Sequence, residues 1–331
     1  YPYITGIVAG AFIISSLYHV FHKEELKPVS RFAMLMALAF LLFATTPLMM
    51  HLGHPERALN IMFTPNTTSA MAGFGFIYLT YMVILSVEIW LVYREDIVFL
   101  SKNANTAWRR MIYRLLSLGV DNVSPESRKL DHDVMTFLAA IGIPAACMLH
   151  GYVGFIFGAI KANPWWSSPM MPLIFLLSAI VSGIAMVVVC YMVIHYLKGR
   201  PLDPDCMHSL VGYLWFFTKI DVAVELLEIL NHAYMANEDW EILHELVTVK
   251  LFWSYVVIQM LVGSAIPIIL LGIVVVFKNR LSVWWRNAFA FCSAVLLLIQ
   301  VLAMRWNVVI GGQSFSKSYR GLLDFDIELY G

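Results

Sequence analysis

Four ionisable residues are predicted to share one face of a hydrophobic helix: Asp221, Glu225, Glu228 and His232. They follow one another at intervals of four, three and four residues. At about 100° per residue, these intervals place all four side chains on a stripe roughly 60° wide. Ionisable groups at membrane depth are rare, and they usually face a bundle interior, a partner or a water-filled path. Such a row can pass protons through interleaved water molecules, so we predict a proton path along it.

The stripe covers about 16 Å of helix, which is close to half the thickness of the hydrocarbon core of a bilayer. It therefore suits a half-channel that links one surface to the interior of a helical bundle. The other interpretation is structural, because the acids could instead form buried ion pairs with cations. The candidate cations are Lys219, Lys250 and Arg305. The sequence leaves both interpretations open.

A second pair of residues suited to chemistry, His150 and Tyr152, lies near the end of a long apolar run. A quinone needs an apolar cleft, and at each carbonyl a hydrogen-bonding group that can deliver or accept a proton. Histidine titrates near neutral pH and a tyrosine hydroxyl can donate, so the pair suits this role. Gly151, Gly154 and Gly158 would admit a flat ring, although small residues equally permit close helix packing.

The segment HLGHPER, between the second and third apolar runs, is predicted to turn because it contains Gly53 and Pro55. His54 and Arg57 would lie where a lipid-borne headgroup arrives, and we predict that they shape the entrance of a quinone site. Arg57 could polarise a quinone carbonyl, bind a lipid phosphate or pair with Glu56. The sequence leaves these three roles open.

The composition identifies the elements that must position these residues. The 331 residues are 60% hydrophobic and 13% charged, far from the roughly 25% charged residues of soluble domains. We therefore predict an all-α integral membrane protein, and the net charge of zero argues against nucleic acid as a partner. Eight apolar runs are long enough to span roughly 30 Å of hydrocarbon. They cover about residues 3–21, 31–50, 68–93, 134–160, 169–197, 207–235, 249–277 and 282–309.

The charges of the connections predict the orientation in the membrane. Lysines and arginines concentrate in the loops after spans 1, 3, 5 and 7, which places those loops in the cytoplasm and both Tyr1 and Gly331 outside. The connection at about residues 94–133 is predicted to be a cytoplasmic loop with one amphipathic helix, TAWRRMIYRLLSL, on the membrane surface. Residues 1–331 are predicted to form a single polytopic membrane domain.

The sequence predicts no metal centre within this chain. Its cysteines stand alone, without the spacings typical of iron–sulfur ligation or covalent haem attachment. Histidines in the spans could ligate a b-type haem, but no spacing specifies a pair of axial ligands. We therefore expect neither a haem nor an iron–sulfur cluster in this chain.

Several motifs together resemble one family of membrane proteins. They are HLGHPER after span 2, LHGYVGFIFGAIKANPWW followed by MMPLIFLLSAIVSGIA, and RWNVVIGGQSFSKSYRG after span 8. With the eight-span layout, they resemble the NrfD/PsrC family of quinone-interacting integral membrane subunits over essentially the whole chain. Within that family the chain is most similar to the DsrP/QrcD type of sulfate-reducer respiratory complexes.

The resemblance implies two four-helix bundles, and menaquinone bound near the outer face of a bacterial or archaeal cytoplasmic membrane. It implies, as electron-exchange partner, an iron–sulfur subunit of four-cluster ferredoxin type or a multihaem cytochrome c, and a molybdopterin-type subunit is a further candidate. Tyr152 falls where the polysulfide-reductase pattern has a quinone-contacting tyrosine. A histidine contact of that family falls near Tyr1, and His150 would substitute for it. Any extra spans would precede Tyr1 or follow Gly331.

We therefore expect the quinone-reactive subunit of an oxidoreductase complex of anaerobic respiration, which is not a complete enzyme alone. It would exchange electrons with its partner, with proton translocation along the stripe. Two other classes stay open. A secondary transporter or ion channel would also have buried acids, although Pro47, Pro144 and Pro267 do not pair by symmetry as transporter repeats usually do. In a structural membrane anchor, the buried charges would serve assembly.

Overall fold

The computed structural model describes residues 1–50, 52–66, 68–235, 239–316 and 321–323 of the 331-residue chain. His51 of the HLGHPER turn and the last part of the RWNVVIGGQSFSKSYRG motif lie outside these ranges. Within them the chain is helical apart from its turns and a single β-bridge between Phe315 and Leu322. The predicted all-α class is confirmed.

Nine helices are labelled here in chain order. They are α1 (Pro2–His19), α2 (Lys27–Ala44), α3 (Ala70–Asn103), α4 (Ala107–Leu116), α5 (Pro125–Gly158), α6 (Met171–Leu197), α7 (Pro204–Met235), α8 (Phe252–Val276) and α9 (Val283–Trp306). The first part of α8, Phe252–Ala265, is a π-helix, and its continuation, Ile266–Val276, is an α-helix. Short helical segments occupy Glu24–Leu26, Thr46–Met50, Pro55–Arg57, Asn60–Phe63, Trp240–Glu245, Leu246–Lys250 and Asn307–Gly311.

Seven helical segments in the described part of the chain are long and apolar enough to cross a membrane, and they contain α1, α2, α3, α5, α6, α8 and α9. The predicted sixth span, α7, is 32 residues long but is not among the seven. It carries Lys219 and the acidic stripe, which lower its mean hydropathy. It nevertheless packs against α6 and α8, which places it within the same layer as the spans.

The predicted loop at about residues 94–133 is largely helical, so its predicted boundaries need correction. The third helix continues to Asn103 and the fifth already begins at Pro125. Ser124 caps the fifth helix, because its hydroxyl accepts a hydrogen bond from the amide of Ser127. This start signal lies within SPES, well before the apolar run.

Ion pairs explain why both helices extend beyond their apolar runs. Arg94 of α3 pairs with Asp131 of α5 at 2.9 Å, and Glu95 pairs with Arg128 at 2.7 Å. The amphipathic helix predicted in the same region is present as α4, and its large apolar side chains, such as Trp108, are exposed. Its position on a membrane surface stays a prediction.

The long helices form two bundles of four, as the resemblance implies. Helices α1, α2, α3 and α5 pack together in the first bundle, and α6, α7, α8 and α9 in the second. We call the end that contains Tyr1, Ala70 and Gly158 the outer end, and the end that contains His19 and Pro125 the inner end, after the predicted orientation. That orientation itself stays a prediction.

The two bundles join where α6 packs against α1 and α5. Gly10 of α1 and Gly183 of α6 face each other at the crossing. A Cβ atom added at Gly183 would lie 2.6 Å from the amide nitrogen of Gly10 and 2.7 Å from that of Ala11. Glycine therefore allows the two backbones to touch, as small residues do in other membrane bundles.

Candidate functional site

The predicted stripe lies on the buried face of α7. Asp221, Glu225 and Glu228 have exposed fractions of 1%, 4% and 5%, and His232 is half-buried towards the outer end. Glu228 accepts a hydrogen bond from His232, with an Oε1 to Nε2 distance of 3.1 Å. The four side chains therefore share one face, as their spacing predicts, and the row leads from the bundle interior towards the outer surface.

Two glutamines from neighbouring helices hold the carboxylate of Glu225. Gln259 of α8 donates to Oε2 at 3.0 Å, and Gln300 of α9 donates to Oε1 at 3.3 Å. Asn307, beyond the end of α9, donates in turn to the side-chain oxygen of Gln259 at 2.8 Å. Both oxygens of this carboxylate are therefore fixed by neutral donors within a buried network.

Arg305 of α9 supplies the cation of this region. Its guanidinium donates to the carbonyl of Phe175 at 2.9 Å and to the hydroxyl of Ser178 at 2.7 Å, and it lies 3.7 Å from the centroid of the Phe175 ring. It also interacts electrostatically with Asp221 and Glu225. Within the described residues it forms no direct ion pair with either acid, because no such nitrogen–oxygen distance falls within 4 Å.

The other two candidate cations are engaged elsewhere. The ammonium group of Lys219 lies 3.4 Å from the centroid of the Trp215 ring. Lys250 donates to the carbonyl of Leu323 at 2.8 Å. Of the three predicted candidates, Arg305 is thus the one that belongs to the cluster of buried charges, which we call the α7 cluster: Asp221, Glu225, Glu228, His232, Gln259, Gln300, Arg305 and Asn307.

Several buried polar atoms of the α7 cluster have no hydrogen-bond partner among the described residues. They are both carboxylate oxygens of Asp221, Oε2 of Glu228, Oε1 of Gln300, Oδ1 of Asn307, and Nε and Nη1 of Arg305. Buried polar groups in folded proteins are nearly always satisfied by protein or by ordered water. These atoms therefore mark positions where ordered water would be bound.

A cavity connects the α7 cluster with the outer end. Its lining includes Glu225, Glu228 and His232 on one side and Trp165 and Tyr255 on the other. The cavity has a volume of about 40 Å³, counted as the space that the centre of a water molecule can occupy. One water molecule needs roughly 10–15 Å³ of such space. A second cavity shares Trp165 and His232 with it and continues to Trp240 and His244.

His150 and Tyr152 point to different parts of the molecule. His150 is buried, its Nε2 has no partner among the described residues, and it interacts electrostatically with Arg305. Tyr152 is half-buried, and its hydroxyl lies against Gly73 at the outer end of α3. Residues two apart on a helix are separated by about 200°. The pair therefore does not converge on one pocket, and the quinone role of each stays a prediction.

Two pairs of contacting aromatic rings lie at the outer end of the first bundle, and Tyr152 belongs to one of them. Its ring centroid lies 5.3 Å from that of Phe155, which is exposed towards the predicted lipid side. On the next face of α3, Phe74 contacts the ring of Tyr1 at 5.7 Å. The Tyr1 hydroxyl is buried and has no partner among the described residues. We call Tyr1, Phe74, Tyr152 and Phe155 the outer aromatic group.

Two of the glycines after His150 allow neighbouring backbone segments to pack closely and do not leave an open cleft. A Cβ atom at Gly154 would lie 2.7 Å from the Cα atom of Pro172, and one at Gly158 would lie 2.6 Å from the carbonyl oxygen of Ser168. Gly151 has only one contact, at 3.9 Å. Of the two roles that the sequence left open for these glycines, close helix packing explains Gly154 and Gly158.

The predicted entrance residues are exposed. His54 Nδ1 lies 2.9 Å from Glu56 Oε1, so the histidine and not Arg57 is the partner of this acid. Arg57 is exposed in the same short helical turn. The helix that follows, Asn60–Phe63, packs on α3, next to Gly75. The segment thus covers the outer end of α3, and its role at a quinone entrance stays a prediction.

Sequence reasoning missed three polar residues of the α7 cluster: Gln259, Gln300 and Asn307. Each is a side-chain amide in or next to an apolar span. A side-chain amide in hydrocarbon is costly unless it has a hydrogen-bond partner. The presence of these amides in apolar spans was therefore the signal in the sequence that could have identified them. The partner itself could not be identified, because it lies on another helix at a distant position in the sequence.

Comparison with known proteins places the chain among membrane subunits of redox complexes. The sequence model of the family described as polysulphide reductase, NrfD, matches residues 1–317. The chain is 26% identical to a selenate reductase subunit of Mesobacillus selenatarsenatis, over 94% of its own length and 71% of the relative's. It is also 26% identical to the Hdr-like menaquinol oxidoreductase integral membrane subunit of Archaeoglobus fulgidus, over 96% and 70%. A polysulfide reductase protein of Wolinella succinogenes is 24% identical over 55% and 54%.

Proposed function

Because this chain belongs to the NrfD family of membrane subunits of redox complexes, we propose that it is the quinone-reactive subunit of a respiratory complex in a bacterial or archaeal cytoplasmic membrane. The observation that carries this proposal is the α7 cluster, a buried row of acids that a water-sized cavity joins to the outer end. Redox chemistry of a quinone is accompanied by proton movement, and a buried row of acids is suited to move protons. A relative named as a menaquinol oxidoreductase subunit supports menaquinone as the quinone.

The outer aromatic group is the proposed quinone site. Tyr152 has a hydroxyl without a hydrogen-bond partner among the described residues, and it lies beside Gly73, which has no side chain to compete for space. Tyr1 adds a second unpartnered hydroxyl close by. A bound quinone takes up two electrons and two protons on reduction and returns them on oxidation. Tyr152 would hold a carbonyl oxygen by donating a hydrogen bond, and Phe155 would pack on the ring face.

The electron partner would be a separate subunit on the outer side. The relatives are named as parts of selenate reductase, polysulfide reductase and a menaquinol oxidoreductase. An iron–sulfur subunit of four-cluster ferredoxin type or a multihaem cytochrome c would suit the position of the outer aromatic group. His54 and Arg57, which are exposed at the same end, are proposed to shape the entrance between quinone and partner.

The α7 cluster is proposed to pass protons. Asp221 would be its innermost acid and His232 its exit, with Glu225 and Glu228 between them. Each is within about one helical turn of the next, and bound water would bridge the gaps. Arg305 would supply a positive charge beside this row, since it interacts electrostatically with Asp221 and Glu225.

Loss of the Tyr152 hydroxyl tests the quinone site. In Tyr152→Phe we expect menaquinol-dependent reduction of the partner's haems or clusters to fall at least roughly tenfold, since loss of one hydrogen-bond donor to a reacting oxygen typically costs more than this. The matched control is Tyr196→Phe, which removes an exposed hydroxyl at the inner end of α6. Unchanged turnover in Tyr152→Phe and in the double variant with His150→Ala would refute the site.

Neutralising the innermost acid tests the proton path. In Asp221→Asn, reconstituted in liposomes as the whole complex, we expect quinol oxidation to survive while proton translocation is lost, because an amide cannot take up a proton at neutral pH. Asp205→Asn removes an exposed acid from the first turn of the same helix and is the matched control. A failure of Asp221→Asn to assemble would instead favour the structural role, and unchanged translocation would refute the path.

A further inference from the structure

The first bundle contains a buried acid that the α7 cluster does not include. Glu88 of α3 has an exposed fraction of 0%, and neither carboxylate oxygen has a hydrogen-bond partner among the described residues. The nearest arginine along the helix, Arg94, is already paired with Asp131. A carboxyl group with neither cation nor hydrogen-bond donor is expensive to bury, and at membrane depth it indicates a functional role.

An open cavity with charged residues in its lining lies on the inner side of Glu88. Leu91 and Val92, one helical turn from Glu88, line this cavity together with His19 of α1 and Met135 of α5. On the same measure, this cavity has a volume of about 280 Å³. This volume is large enough for a cluster of water molecules. Charged and titratable side chains surround its mouth: Lys27, Arg31, Glu95, Arg128, Asp131 and His132.

The arginines at the mouth of this cavity are paired, so they do not neutralise Glu88. Arg31 pairs with Asp96, and Arg128 pairs with Glu95. His19 lies deeper in the cavity, and its Nε2 is buried without a partner among the described residues. A cavity with room for water therefore runs from the inner end to within a turn of Glu88, and His19 lines it.

On its outer side, Glu88 is followed by a line of buried hydroxyl groups. Tyr81 lies on the same face of α3, about 10 Å further out. Its hydroxyl has no partner among the described residues, and the two groups interact electrostatically. The Tyr81 ring packs edge-on against Phe12 of α1, at 5.5 Å between centroids. One turn inward from Phe12, Ser15 has a second buried hydroxyl without a partner in the same part of the chain.

The line continues to the outer aromatic group. Tyr78, one turn beyond Tyr81, donates its hydroxyl proton to the carbonyl of Leu41 and interacts electrostatically with Tyr1. The unpartnered hydroxyl of Tyr1 completes the sequence of polar groups. The buried acid and hydroxyls of α3, together with the hydroxyls of Ser15 and Tyr1 at α1, thus lie between the inner cavity and the outer end of the first bundle.

We propose that Glu88 transfers protons between the inner cavity and the outer aromatic group, as a route separate from the α7 cluster. This inference rests on the proposed quinone site. When the quinone is reduced, the two electrons come from the partner subunit on the outer side and the two protons come from the inner side through Glu88. Oxidation reverses both movements. Each proton crosses most of the membrane without an accompanying electron, so reduction makes the outer side positive and oxidation makes the inner side positive.

A purely structural role for Glu88 predicts a different environment. A neutral carboxyl group that serves packing would donate its proton to a carbonyl or a hydroxyl, as buried polar groups do. No described residue accepts such a bond from either oxygen. The polar groups on both sides of Glu88 also lie along the helix in series, whereas packing alone requires no such order.

The test uses the complete complex in liposomes, with Glu88→Gln, Glu88→Asp and the control Glu126→Gln, which removes an exposed acid at the inner end of α5. We expect Glu88→Gln to lower menaquinol turnover at least roughly tenfold, and its remaining turnover to build no membrane potential. Glu88→Asp should retain both in part, and Glu126→Gln should match the parent complex. An unchanged membrane potential per electron in Glu88→Gln would overturn the proposal.

A second readout separates this proposal from the quinone function. Infrared difference spectra of the unreacted complex, in H₂O and D₂O, report the carboxylic acid C=O band of Glu88, identified by its loss in Glu88→Gln. We expect this band to shift in D₂O within the mixing time, because Glu88 exchanges protons with the inner cavity. A band that does not shift would overturn the proton route even if quinone turnover is intact. A shifting band in a complex that fails to react with menaquinol would refute the quinone function while retaining the link between Glu88 and the inner cavity.

Discussion

Replacement of Gly183 by valine is expected to separate the two bundles. The backbones of α1 and α6 touch at Gly183 and Gly10, and an added Cβ atom would lie 2.6–2.7 Å from the amide nitrogens of Gly10 and Ala11. These are backbone atoms within helices, so they cannot move aside as a flexible side chain would. Overpacking in a well-packed core typically costs about 1–3 kcal/mol, and at this crossing we expect a loss of stability of at least about 3 kcal/mol.

Thermal unfolding of the purified subunit in detergent measures this effect, together with the yield of folded protein. Gly183→Ala should already destabilise the protein, because the Cβ atom alone clashes with the backbone of α1. The matched control is Gly212→Ala on α7, where an added Cβ atom meets nothing within 4 Å. We expect that control to be neutral or slightly stabilising, because alanine favours a helix by up to about 1 kcal/mol over glycine. A Gly183→Val variant as stable as Gly212→Ala would contradict the described crossing.

The apolar runs predicted that the spans are helices, but eight runs were predicted as spans where seven helical segments qualify, and the ends of two helices were not predicted. The helices α3 and α5 run beyond their apolar runs because Arg94, Glu95, Arg128 and Asp131 pair between them. Such pairs join residues that are distant in sequence, and a hydropathy pattern does not show them. The start of α5 at Pro125 was predictable locally, since serine followed by proline is a common helix N-terminus.

The spacing on α7 predicted which side chains share a face, and the same reasoning separates His150 from Tyr152. These two residues were predicted to act together because they are close in sequence. Residues two apart on a helix point in different directions, so helix geometry did not support the pairing. The partners of the buried acids could be identified only from the three-dimensional structure, because Gln259, Gln300 and Arg305 come from two other helices. Glu88 illustrates the same limit. A single acid in an apolar span becomes informative only when its surroundings are known.

The two rows of buried polar groups have different connections. The α7 cluster reaches the outer end through the cavity at Trp165 and His232. The route through Glu88 begins at the inner end, beside His19. If both carry protons, the route through Glu88 would exchange protons with the inner side and the α7 cluster would exchange protons with the outer side. The variants Glu88→Gln and Asp221→Asn should then affect opposite sides of the membrane.

Removal of the Arg305 charge is expected to have the other large effect. In Arg305→Met, Asp221 and Glu225 lose the buried cation with which both interact, and the hydrogen bonds to Phe175 and Ser178 are lost as well. Removing one partner from a buried group of charges typically costs about 3–5 kcal/mol, because the remaining charge is left uncompensated. We expect a loss of this order in the free energy of unfolding in detergent, or a failure of the subunit to assemble.

A second substitution distinguishes charge compensation from lost packing. Adding Asp221→Asn to Arg305→Met removes an acid together with its cation, so the double variant should recover part of the lost stability, and a double-mutant cycle should give a coupling energy above about 1 kcal/mol. Arg280→Met, which removes an exposed arginine near the inner end, is the matched control and should lie within about 0.5 kcal/mol of the parent protein. If the two substitutions in the cluster were additive, Arg305 would act through packing and hydrogen bonds alone. The stripe of acids would then depend on water and the two glutamines for its stabilisation, and not on a cation.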